Sequence, residues 1–146
     1  MAETLGTLCD KLTVVKLKQW HCDAPPKMES LVLQERQLTE EINEFLASAV
    51  DGRIPLGKIT FAANKIYKKD GNRVGEVTGA LGTVVSQLAN VNCQLWHEQE
   101  KVYEFEKVAP GEKDLVIKQL ALLNLERNKC IEAIDKNLHE MLKARG

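Results

Sequence analysis

One stretch of text occurs twice in this chain and limits what the chain can fold into. Residues 5–21 read LGTLCDKLTVVKLKQWH, and residues 81–97 read LGTVVSQLANVNCQLWH. Both copies open on Leu-Gly-Thr and close on Trp-His; Leu12 falls opposite Leu88, and Val15 opposite Val91. In the second copy Leu81, Val84, Val85, Leu88, Asn92, Leu95 and Trp96 recur at intervals of three and four, which puts them on one stripe of a helix. Each copy runs into a proline-containing turn and then a second helical run. The pattern predicts a duplicated helical hairpin, and two long hairpins that each bury one face make an all-α, antiparallel four-helix bundle.

The 146 residues suffice for one domain with a core of its own. The expected organisation within 1–146 is a first hairpin over 3–50, a connector over 51–77 and a second hairpin over 78–143. The first helix is expected over 3–22, capped by Glu3 or Thr4, with Leu5, Leu8, Leu12, Val15 and Trp20 inward. Val14 and Leu17 point elsewhere, and a helix apolar on several sides needs several neighbours. Pro25-Pro26 predicts an extended joint. The second helix carries Leu31, Leu38, Ile42, Phe45 and Ala49 on one stripe and stops at Asp51-Gly52. In the connector the Asp70-Gly71 turn leaves residues 58–76 open to a short helix or a β-hairpin. Lys65, Lys68, Lys69 and Arg73 around that turn read as a solvated loop or as a phosphate receiver.

The fourth helix, expected from 112 to 142, is the unusual one. With Ile117 as phase reference, its inward face collects Leu120, Ala121, Asn124, Arg127, Asn128, Ile131, Asp135, Leu138 and Leu142. Polar side chains on a buried face must meet partners, because each one left unpaired costs roughly 1–3 kcal/mol. Asn92 offers a donor and an acceptor from the third helix; Lys16 takes its place in the first hairpin, near Gln34 and Glu35. The expectation is a polar layer inside the bundle. It serves either as a network that fixes helix register or as a small-ligand pocket lined by Asn92, Trp96, His97, Asn124, Arg127, Asn128 and Asp135.

The pattern N-x3-W-H at Asn92, Trp96 and His97, followed by N-x2-R-N-x2-I-E-x-I-D at Asn124, Arg127, Asn128, Ile131, Glu132, Ile134 and Asp135, resembles an uncharacterised bacterial all-helical family, a domain of unknown function. Where that family carries two acidic residues shortly after Trp-His, this chain has Gln99 before Glu100. The resemblance implies an all-helical cytoplasmic domain and no mechanism. A second likeness is weaker. Glu40, Glu41 and Glu44 (E-E-x-x-E) with Glu132 and Asp135 (E-x-x-D) are similar to the carboxylate motifs of all-helical nucleotide pyrophosphohydrolases. That likeness implies Mg²⁺ on Glu41, Glu44, Glu132 and Asp135, since Mg²⁺ prefers hard oxygen ligands. Here most of the chain separates the two motifs, and Glu40 falls on the outer face. A metal held by His21 and His97 with Cys22, Asp23, Glu98 or Glu100 lacks any H-x3-H or E-x-x-H spacing.

A net charge of −1 gives no global reason to expect nucleic acid or an anionic membrane, and no apolar run approaches the ~20 residues of a membrane span. The N-terminal text has no charged n-region or cleavage site, so no targeting segment is expected. The cysteines, Cys9, Cys22, Cys93 and Cys130, form no C-x-x-C pair and read as free thiols in a reducing cytosol. Leu115, Leu122 and Leu125, together with Val14 and Leu17, make an apolar set that one four-helix layer cannot cover. The expected function is a cytoplasmic binding or assembly module acting as a homodimer. The alternatives are a Mg²⁺-dependent nucleotide-processing enzyme and a small-ligand sensor.

Overall fold

A computed structural model describes residues 2–62 and 75–145. Four helices carry the fold: α1 (Leu5–His21), α2 (Pro25–Val50), α3 (Leu81–Tyr103) and α4 (Lys113–Arg145). No strand occurs among the described residues, and the chain is an all-α bundle. Residues 59–61 are not a strand; the Asp70-Gly71 turn and the Lys65, Lys68, Lys69 and Arg73 cluster lie outside the described residues.

The two text copies start α1 and α3 at equivalent leucines. Thr4 caps α1 through a capping box: its side chain accepts from the Thr7 N–H, and the Thr7 hydroxyl accepts from the Thr4 N–H at 2.7 Å. Pro25 and Pro26 do not prolong the joint. They open α2, where a missing N–H costs nothing and the fixed φ is already helical. The turn between α3 and α4 is two short 3₁₀ segments, Phe105–Lys107 and Pro110–Glu112.

Helix α1 is the central element, in contact with all three others. It runs antiparallel to α2, which it meets through Lys16–Glu35 (2.9 Å) and Gln19–Glu35 (2.8 Å). It is also antiparallel to α4, since Gly6 meets Asp135 and Asp10 meets Arg127. It is parallel to α3, since Asp10 meets Asn92 and His21 stacks on Trp96. Helices α3 and α4 form the second hairpin, registered by Gln87–Glu126 at 3.2 Å. The main core sits at the α1 N-terminal end: Leu5, Val84, Leu88, Val91, Cys130, Ile131, Ile134 and Leu138, closed by Ala49 of α2 and by Ile59. Each large aliphatic buried there contributes roughly 1.5–3 kcal/mol.

Two phase expectations are corrected. Trp20 is not a core residue but 85 % exposed. The inward position after Val15 falls to Gln19, which reaches the Leu31 carbonyl and Glu35, and this turns Trp20 outward. On α4, Ile117 and Ala121 are exposed, and the buried series is Val116, Leu123, Cys130, Ile131, Ile134, Asp135 and Leu138. Ile131, Asp135 and Leu138 of the expected stripe are buried as expected; the face is turned by only part of a residue step, which brings in Val116, Leu123, Cys130 and Ile134 in place of Ile117 and Ala121. Leu125 is buried and Leu122 half-buried, so neither offers the free apolar surface expected of it.

Gly6 shows why α1 sits so close to α4. A Cβ there would collide with the Ile131 carbonyl oxygen and crowd Asp135 Oδ1. Gly82, its counterpart in the second copy, has open space around that position. Gly6→Ala is therefore expected to destabilise by roughly 1–3 kcal/mol through overpacking against backbone. Gly82→Ala should be neutral or stabilising by up to about 1 kcal/mol. Urea denaturation of the two variants side by side checks the contrast; equal midpoints would contradict it.

Candidate functional site

The polar layer is built from α1, α3 and α4, and its centre is Asp10. Its carboxylate is buried, with Oδ1 accepting from Asn92 Nδ2 at 3.0 Å and from Arg127 Nε at 2.8 Å. Oδ2 accepts from Arg127 Nη2 at 2.5 Å. Asn92 gives its other amide hydrogen to Thr13 Oγ1 at 2.7 Å, and the Thr13 hydroxyl donates to the Asp10 carbonyl at 2.8 Å. The Arg127–Asp10 pair is two-pronged, the geometry in which a guanidinium binds a carboxylate most strongly. The hydrogen bonds to Asp10 raise the Arg127 pKa against the opposing effect of burial. Asn92 and Arg127 were legible as inward polar groups; Asp10 and Thr13 were not singled out. Their signal was the series Gly6, Asp10, Thr13 and Leu17, spaced four, three and four on the side opposite Leu5, Leu8 and Leu12.

The other candidates separate from this centre. Asn124 and Asn128 are half-buried and turn back on their own helix, donating to Leu120 O (3.1 Å) and Asn124 O (2.8 Å). They do not join the layer, their amides being spent on the carbonyl one turn back. Lys16, Gln34 and Glu35 lie on the α1–α2 flank, where Lys16 and Gln19 hold the Glu35 carboxyl below its usual range, Gln19 having the larger effect. His97 is exposed beside Cys93, Gln94, Glu98, Gln119 and Leu123 in a shallow hollow. Trp96 is half-buried, and His21 stacks on it with ring centroids 4.5 Å apart and planes 21° apart. The two Trp-His copies thus meet each other: the histidine of the first lies on the tryptophan of the second.

Asp135 is fully buried, one helical turn past Ile131 and against the start of α1. Its Oδ1 accepts from the Gly6 N–H at 2.7 Å, so α4 supplies an anion to one of the open donors at the α1 N-terminus. Oδ2 has no hydrogen-bond partner among the described residues. The Thr4 hydroxyl stands alongside and lowers the Asp135 pKa without making a hydrogen bond to that oxygen. Burial dominates and pushes the carboxyl up to about 6; Thr4 and the Gly6 N–H oppose it, and Glu132 adds to it. The Cys9 thiol next to it is pushed up to about 11, first by burial and then by the Asp135 and Asp10 charges.

The carboxylates considered for Mg²⁺ are not gathered. Glu41 and Glu44 are exposed on α2, while Asp135 lies inside against Gly6. Glu98, considered with the histidines, pairs with Lys101 at 3.0 Å. Among the described residues no three His, Cys, Asp or Glu side chains are grouped closely enough to hold a metal. No described helix is long and apolar enough to cross a membrane. No protein-family model, curated protein or solved structure matches this chain.

Removing Asp10 leaves Arg127 half-buried without its counter-ion and frees the Asn92 amide. Asp10→Ala is expected to destabilise by roughly 2–4 kcal/mol, whereas Asn124→Ala should stay within about 0.5 kcal/mol. Chemical denaturation separates the two, and an Asn124→Ala loss equal to that of Asp10→Ala would refute this division of the layer.

For Asp135 the pH dependence has a definite sign. A carboxyl whose folded pKa is raised binds more protons folded than unfolded, so its contribution is fully present below about 4 and is lost as pH rises through about 6. The upper bound of that loss is on the order of 3 kcal/mol. Asp135→Asn, which keeps an acceptor for Gly6, should flatten the stability profile between pH 4 and 6. Melting curves across that window that fall as steeply in the variant as in the wild type would reject the assignment.

Proposed function

We propose that this chain is a cytoplasmic binding and assembly module that works as a homodimer, joined through the end of the bundle where α1 and α3 finish and α2 and α4 begin. The observation that carries the reading is that six of the ten large apolar side chains exposed among the described residues, Trp20, Val32, Leu33, Tyr103, Leu115 and Ile117, stand toward that end. The stacking of His21 on Trp96, the Gln19–Leu31 bond and the Gln87–Glu126 bond put five of them within about two helical turns along the bundle, with Tyr103 about 10 Å beyond Trp96. The main core lies at the other end, so these residues have little beneath them. Large exposed aromatic and aliphatic groups close together mark interfaces, and two-fold dimers are the commonest way for a chain to cover its own patch. Helix α4 contributes Leu115 and Ile117 here, in place of the Leu122 and Leu125 pair that its sequence suggested.

The cytoplasmic part of the proposal rests on four cysteines without disulfides, of which Cys9 and Cys130 are held as thiols by burial, with pKa values of about 11. Kinship with the bacterial family of the N-x3-W-H pattern remains part of the same proposal and rests on that motif alone. Descent of the two hairpins from one duplicated unit rests likewise on the repeated text that opens α1 and α3.

Light scattering at tens of micromolar, a concentration suited to a micromolar or tighter dimer, should give twice the chain mass. Leu115→Glu with Ile117→Glu should give a folded monomer, since both side chains are exposed. A monomeric wild type would sink the proposal.

A further inference from the structure

The Asp10 knot has an outward side. Helices α1, α2 and α4 enclose a groove of about 310 Å³, and Arg127 is the residue through which α4 reaches it. Asp10 takes Arg127 Nε and Nη2, so the guanidinium is held in one orientation and its remaining edge, Nη1, has no protein partner among the described residues. The Arg127 side chain is 32 % exposed, and so accessible from the groove. Along α1 the lining includes Lys11 and Lys18, two turns apart and about 10 Å along the axis. Lys11 is already held by Glu3 at 2.7 Å, whereas Lys18 has no ion-pair partner among the described residues. Helix α2 faces them with Gln37, Leu38 and Glu41.

We infer that this groove is a binding site for a small anion, a carboxylate or phosphate carried on a short polar stem. The anionic group lies between Arg127 Nη1 and Lys18 Nζ. The stem runs over Leu38, and a hydroxyl or ammonium on it donates to the Glu41 carboxylate. The preference for an anion follows from the donors available. Lys18 has no ion-pair partner among the described residues, and Arg127, although its charge is paired with Asp10, keeps the Nη1 edge free; together they face the one carboxylate of Glu41. A guanidinium fixed by a buried carboxylate loses little freedom on binding, which favours recognition of planar or tetrahedral oxyanions. The groove shares no lining residue with the proposed assembly surface, although Lys18 and Gln34 stand within two residues of Trp20 and Leu33, and Arg127 joins it to the packing of three helices.

Three probes test it on the full chain: inorganic phosphate, glycerol 3-phosphate and malate, each titrated to about 10 mM to reach the low-millimolar range of such contacts. Amide and guanidinium NMR signals are read throughout. Saturable shifts confined to residues 11–18, 34–41 and the Arg127 side chain are expected. The tighter of glycerol 3-phosphate and malate tells phosphate from carboxylate. Lys18→Gln, an exposed substitution that leaves the fold intact, should weaken binding about tenfold. Glu41→Gln should weaken the two hydroxylated probes and not inorganic phosphate. No saturable shift with any probe, or full affinity in Lys18→Gln, would overturn the inference.

Discussion

The buried carboxylate of Asp10 is the interaction on which the arrangement of three helices depends. It stands on α1, and its oxygens are filled by Asn92 from α3 and Arg127 from α4. An ionised group taken out of water is costly unless it is paired and hydrogen-bonded. That requirement fixes the axial and rotational setting of α3 and α4 against α1 more tightly than aliphatic packing does, because apolar contacts tolerate sliding and a forked guanidinium does not. The hydrophobic core supplies most of the stabilisation; the Asp10 knot selects which of several similar packings is the one adopted.

A second contact works with it at the start of α1. Gly6 lets the α1 backbone approach the Ile131 carbonyl, and that closeness lets Asp135 accept from the Gly6 N–H. The arrangement leaves Asp135 Oδ2 buried without a partner, and the raised pKa is the direct result. Two acidic residues thus hold α1 to α4 by different means. Asp10 is fully satisfied by a cation, whereas Asp135 is half satisfied by backbone and carries the cost of its remaining oxygen.

These two ties lie in the half of the bundle that holds the main core. Beyond Val15 fewer side chains are fully buried, Leu31 and Val116 among them, and the Gln19 bonds and the His21–Trp96 stack join the helices there. The two ends differ: one holds the main core, the other the exposed aromatic rings of Trp20 and Tyr103. Interaction with other molecules belongs at the second of these ends and along the groove beside Arg127, where side chains still have unused surface and unused donors.

The repeated Leu-Gly-Thr…Trp-His text, the three-and-four spacing and the turn residues determined by themselves that the chain is a bundle of four helices, with boundaries within a few residues. Periodicity and caps are local properties and do not need the rest of the chain. The inward positions of Asn92, Arg127 and Asp135 were legible for the same reason. Which polar groups meet was not. Asp10 lies on the face of α1 opposite Leu5, Leu8 and Leu12, and only when α3 and α4 close over that face does it become interior. Asn124 and Asn128 share a stripe with Arg127 yet bond to their own helix, a choice set by local carbonyls and not by spacing. The α4 stripe holds at Ile131, Asp135 and Leu138 and fails at Ile117 and Ala121, near the start of the helix, where an apolar residue need not be buried. The identical Leu-Gly-Thr openings also diverge: Gly6 is clamped against α4, and Gly82 faces open space. Sequence set the elements and their apolar sides, while tertiary structure decided the partners, because partnership depends on which faces of distant segments are brought together.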